Sequence, residues 1–202
     1  FLGCGVAGAI SAGFGAPLAG IIFAHEAVLR HFSMRALAPI VIASYTANAV
    51  TERIFNKSSI LETNNSVPEL VSILPVSLIC SPIFAVAAIL FMVTIRAFTK
   101  NISKISVSPS VVIFSGAIIC GITGMFFPQI LGLGTQSIVD MLKGNFSFNF
   151  VLTILILKIL MTSICLSSGL FGGVFSPALF IGTATGSLLG KVFTLLGFAS
   201  AG

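Results

Sequence analysis

The run from Leu70 to Phe98, LVSILPVSLICSPIFAVAAILFMVTIRAF, leaves few options for the fold. An α-helix crossing the ~30 Å hydrocarbon core of a bilayer needs about 20 predominantly apolar residues. This run exceeds that length and carries one charge, Arg96, near its end. Pro75 and Pro82 interrupt it, so it is predicted as a tilted, broken span. The rest of the chain agrees. Of its 202 residues, 56% are hydrophobic and 7% charged, with a mean hydropathy of +1.15, whereas a soluble domain carries about 25% charged residues. A surface so poor in charge would not stay dissolved. The class is therefore an all-α, polytopic integral membrane protein, placed in the plasma membrane or a bacterial inner membrane.

The remaining apolar segments are unequal. Residues 1–14 are short and rich in small residues, and Gly13, Gly15 and Pro17 then interrupt the chain. Further segments follow at Leu18–Leu29, Ala36–Val50, Val111–Phe127, Gln129–Leu142, Phe150–Leu166 and Ser176–Leu196. Thr51–Glu69 is the only long hydrophilic loop. Several segments are too short for a perpendicular span. In a membrane, short pieces interrupted by Gly and Pro indicate tilted and broken helices around a site at mid-depth. Gly182, Gly186 and Gly190 repeat at four-residue spacing and predict a close-packing helix face.

Loop charges give an orientation. Arg30 with Arg35, and Arg96 with Lys100 and Lys104, mark two cytoplasmic loops, while 51–69 mixes both signs and is predicted to be external. Cys4, Cys80, Cys120 and Cys165 lie in apolar segments without CxxC or zinc spacing and read as small buried hydrophobes. The basic residues are scattered, which does not suggest nucleic acid. The chain opens on Phe1 with no charged leader and ends in GFASAG directly after an apolar segment. It is read as a piece from the middle of a larger membrane domain.

The most informative stretch is SSGLFGGVFSPALFIGTATG, Ser167–Gly186. Gly169, Gly172 and Gly173 permit close backbone approach, Ser176 can cap a helix, and Pro177 suits a first helical turn. The start of a helix carries N–H groups without intrahelical acceptors and a partial positive charge. Inside a membrane, that end calls for a partner, and an anion suits it. The amides of Val174 and Phe175 would point at the ion. With no Lys or Arg in the stretch, dipoles would hold it loosely enough for release. An ordinary helix–loop–helix corner is the competing reading.

These residues carry a resemblance. GGVFSPALFIGTATG resembles the GxFxP motif of the CLC chloride channel and transporter family and the Gly-rich helix after it. FLGCGVAGAISAGFGAPLAGIIFAHE is similar to the segment following that family's Gly-x-Glu-Gly-Pro motif. The two matches stand in the right order and extend over essentially the whole chain. The resemblance implies the middle of the CLC inverted-repeat fold: about 1–50 ends the first repeat, 51–69 is an external loop, and 70–202 starts the second. It further implies chloride bound by the amides of Val174 and Phe175, with Gly172, Gly173, Ser176 and Pro177 shaping the loop. A homodimer with one pore per subunit is implied, using the segments at Leu18–Leu29 and Ala36–Val50. The family's gating glutamate, its pore tyrosine and its cytoplasmic CBS domains have no counterpart in this sequence.

His25 and Glu26 form an ionisable pair near a helix end, where Glu26 can meet Arg30 at i+4. In proton-coupled family members an acid pair occupies this region. Alignment through PLAGIIF sets Glu26 on the first acid and Ala27 on the second. Alanine cannot relay a proton, so the expectation is a passive, voltage-gated-type chloride channel or a weakly coupled transporter. A chloride/proton antiporter is the alternative, and a structural membrane fragment without an anion site is the reading from another class. HEAVLRH lacks the second ligand position of HExxH, so no metal is expected. No nucleophile–base pair or phosphate loop suggests an enzyme, and no cofactor is called for beyond chloride as substrate. Lys158, within FVLTILILKILMTS, is read as structural or electrostatic.

Overall fold

The computed structural model describes residues 1–30, 34–55, 70–104 and 107–195. Among these residues eight α-helices follow in order: α1 (Leu2–Phe14), α2 (Pro17–Phe23), α3 (Met34–Phe55), α4 (Leu70–Ile102), α5 (Pro109–Phe126), α6 (Thr135–Leu142), α7 (Phe148–Ser167) and α8 (Phe175–Leu195). A π-helical turn, Ala24–Leu29, continues α2, and a 3-10 turn, Pro128–Ile130, precedes α6. No strand occurs among the described residues. Pro75–Ile102 within α4, and α5, α7 and α8, are long and apolar enough to cross a membrane. α1, with 13 residues, reaches about 20 Å at 1.5 Å per residue. Large apolar side chains such as Leu78, Phe114 and Met125 face outward, as lipid contact requires. The chain is an all-α, multi-pass integral membrane protein.

The chain forms two compact units, residues 1–64 and 65–202. In the first, α1 packs against α2 and α3 around Ala7, Ile21, Ala24 and Ile40. Gly20 makes this possible: a Cβ there would lie 2.5 Å from the Ala7 carbonyl oxygen. A buried hydroxyl relay ties the three helices together. Ser11 Oγ donates to Ser44 O at 2.7 Å, and Ser44 Oγ donates to Pro17 O at 2.8 Å. In the second unit, α7 packs against α4, α5 and α8, and α6 packs against α8. Its core holds Ile130, Ile138, Met141, Val151, Ile154, Phe180 and Ala184.

Four features refine the sequence reading. α4 is continuous through Pro75 and Pro82. Proline at 82 removes the N–H that would bond Leu78 O, and Ser81 Oγ donates to that carbonyl instead at 2.9 Å. α3 extends through Phe55 into the expected loop, supported by an Asn48 Nδ2 to Glu52 Oε1 bond of 2.7 Å and a Thr51 Oγ1 to Ala47 O bond of 2.9 Å. The rest of that loop lies outside the described residues. The Gln129–Leu142 segment resolves into the end of the 3-10 turn, a loop and α6. Finally, among the described residues the Gly182/Gly186/Gly190 face makes no close helix crossing. Only Gly186 has a neighbour, Phe84 Cζ, 3.7 Å from where a Cβ would stand. A glycine repeat permits close approach, but here an aromatic side chain fills the space.

Candidate functional site

α8 begins at Phe175, one residue before the expected position. The Ala178 N–H donates to Val174 O at 3.0 Å, which makes Val174 the N-cap. Pro177 is then the third helical residue and removes one of the first-turn donors that would lack an acceptor in the helix. Gly172 and Gly173 precede this start in an irregular, exposed approach. Ser176 does not cap the helix. It lies one residue inside α8, and its Oγ donates to Leu133 O at 2.8 Å, 43 residues away. Its hydroxyl therefore anchors the helix start to the loop after the 3-10 turn.

A second anchor holds the same loop. Lys158 is 3% exposed on α7, and its Nζ donates to Ile130 O at 2.8 Å and Gly132 O at 3.0 Å. The ammonium also stands 5.1 Å from the centroid of the fully buried Phe180 ring of α8, a cation–π arrangement. Gly134 closes the loop at φ 68°, where a Cβ would meet Phe180 Cδ2 at 2.8 Å. One lysine thus links α7, the loop and α8.

Beside these anchors lies a cavity of about 390 Å³. Gly172, Gly173, Ser176 and Pro177 line it together with Lys158, and no carboxylate does. Val174 and Phe175 are not among its lining residues. Val174 is 49% exposed, outside this wall. Sequence reasoning missed Lys158 as a neighbour of the GGVFSP corner, and it missed the supporting carbonyls of Ile130, Gly132 and Leu133. The glycines of LGLG, Leu131–Gly134, were the one local signal of a shaped loop. The fold also joins two cysteines that the sequence left apart: Cys120 and Cys165 have Sγ atoms 3.1 Å apart.

The His25–Glu26 pair belongs to the first unit. His25 is 2% exposed, with Nδ1 3.1 Å from Ile21 O, whereas Glu26 is exposed. The expected Glu26–Arg30 ion pair is not formed. The backbone here is a π-helical turn, and Arg30 takes a left-handed φ of 55°. The regular α-helical register that aligns i with i+4 is therefore lost.

Comparison with known proteins gives the same direction. A family model described as voltage gated chloride channel matches residues 1–201. The H(+)/Cl(-) exchange transporter ClcA of Vibrio vulnificus (strain YJ016) is 30% identical over 207 residues, covering 96% of this chain and 43% of its own length. The ClcA of Salmonella arizonae is 32% identical over 202 residues, covering 96% of this chain and 42% of its own. That of Klebsiella pneumoniae (strain 342) is 32% identical over 195 residues, with 94% and 41% covered. The chain therefore spans less than half the length of the curated relatives it matches. With apolar helices, a Gly-rich helix start and a family match along nearly its whole length, the chain belongs to the voltage gated chloride channel family.

Proposed function

We propose that the full-length protein carries chloride across the membrane through an anion site at the start of α8. The main-chain N–H groups of Val174 and Phe175 contact the ion, while Gly172, Gly173, Ser176 and Pro177 shape the approach. The observation that carries this reading is a doubly anchored helix start. Ser176 and Lys158 hold one loop against α8 in a wall that contains a cation and no carboxylate. A fixed helix N-terminus offers N–H donors and dipole without reorganisation. Lys158 adds favourable potential, yet its own hydrogen bonds hold it back from the ion, and weak binding permits release. Bromide anomalous scattering from crystals of the full-length protein tests this. A bromide peak near the Val174 and Phe175 amides is expected. Peaks elsewhere, with none at this helix start, would sink the proposal.

The same protein is proposed to be a homodimer. Exposed Leu18, Ile22 and Ile42 on α2 and α3 support an interface there. Cross-linking in native membranes would reveal a monomer if this is wrong.

On coupling, Ala27 favours passive or weakly coupled transport, because it offers no titratable group beside Glu26. His25 is buried while Glu26 is exposed, so the two side chains stand in different surroundings. Proton exchange is the second reading, favoured by the names of the relatives. With the full-length protein in liposomes under a chloride gradient, external pH should not show sustained uphill proton movement. Such movement at fixed stoichiometry, abolished by His25→Ala, would establish exchange with His25 as the relay.

A further inference from the structure

Cys120 on α5 and Cys165 on α7 are 45 residues apart in sequence and bring their Sγ atoms to 3.1 Å. Met161 lies one turn before Cys165 on the same helix face, and its Sδ is 3.9 Å from Cys120 Sγ. All three sulfur residues line the cavity that also contains Lys158. We propose that Cys120, Met161 and Cys165 bind one soft monovalent metal ion, Cu(I) or Ag(I).

The donor set selects the ion. Thiolate and thioether sulfur favour soft ions, whereas hard ions such as Mg²⁺ and Ca²⁺ take oxygen ligands. The cavity wall offers no carboxylate. Charge balance then separates monovalent from divalent ions. On binding, the S–H bonds of Cys120 and Cys165 break and two metal–thiolate bonds form. Met161 donates a sulfur lone pair, and two protons leave to bulk solvent. A monovalent ion with two thiolates carries a net charge of −1. The Lys158 ammonium in the same cavity offsets it, so the buried assembly is neutral, as a low-dielectric interior demands. A zinc ion would be neutralised by the two thiolates alone, leaving Lys158 unmatched, and it seeks four ligands where the cluster supplies three. The filled site would occupy the cavity behind the start of α8 and cancel the potential of Lys158. It should therefore oppose anion entry. That consequence rests on the proposed chloride site, whereas metal binding itself does not.

The test uses reduced full-length protein in chloride-free nitrate buffer, titrated with silver nitrate and, separately, with Cu(I) against a chromophoric chelator. Release of two protons per bound ion and an all-sulfur shell in X-ray absorption are expected of the unmodified protein, so no variant has to fold for the proposal to be judged. Cys120→Ser or Cys165→Ser should weaken binding by roughly 100-fold or more, beyond the loss of an outer-shell partner. Met161→Leu should weaken it less, and Cys80→Ser should leave it unchanged. A nitrogen or oxygen shell, affinity unaltered by Cys120→Ser, or a reduced protein that binds neither ion would overturn the proposal. Chloride flux of protein loaded with Cu(I) before reconstitution is read separately. Loss of flux supports the inhibitory consequence, and full flux at full occupancy refutes that consequence while leaving the metal site standing.

Discussion

Replacing Lys158 with methionine keeps the length and most of the volume of the side chain but removes its charge and donors. Two carbonyls, Ile130 O and Gly132 O, lose their 2.8 and 3.0 Å partners. Each unsatisfied buried acceptor costs about 1–3 kcal/mol. The cation–π contact with Phe180 at 5.1 Å is also lost, worth about 0.5–2 kcal/mol. Against this, the methionine no longer holds an ammonium in the membrane interior, which relieves about 2.5–3.5 kcal/mol on insertion scales. Because the carbonyl penalty is incurred twice, it wins, and Lys158→Met should destabilise the protein by about 2 kcal/mol. In a protein more than twice this length, as the Vibrio vulnificus relative is, that lowers the melting midpoint by about 2–4 °C. Thermal unfolding of the full-length protein in detergent measures the shift, and hydrogen exchange should localise it to residues 128–134 and the start of α8. An unchanged or higher midpoint would mean that relief of the buried charge dominates and that the ammonium does not anchor the loop.

Three further outcomes are expected. Gly20→Ala should cost about 1–3 kcal/mol in the same melt, because its Cβ would stand 2.5 Å from Ala7 O and force α1 and α2 apart; a neutral result would show that the helices can separate freely. Ser176→Ala should cost about 1 kcal/mol through loss of its bond to Leu133 O, and it should raise hydrogen exchange at the start of α8 while leaving that at α1 unchanged. The 202-residue chain alone, reconstituted in liposomes, should give no selective chloride efflux above empty vesicles, since it spans 43% of a relative such as the Vibrio vulnificus transporter; selective efflux would show that this part suffices.

What the sequence by itself determined was whatever composition and local chemistry control. Low charge and long apolar runs determine a membrane solvent, because lipid leaves backbone groups to bond within helices. Gly15 and Pro17 determine where one helix ends and the next begins, and GGVFSP determines a helix start, since proline and glycine act on their own backbone. Tertiary structure decided what depends on distant partners. Ser176 reads locally as a cap, yet Leu133 O, 43 residues away, claims its hydroxyl. Pro82 reads as a break, yet Ser81 supplies the bond that lets α4 continue. Lys158 has no local sign of the two carbonyls that hold it, and Cys120 and Cys165 have no spacing that announces their contact. Periodicity and propensity act over a few residues. Hydrogen bonds and sulfur contacts between helices depend on how those helices cross, and only the packed fold decides that.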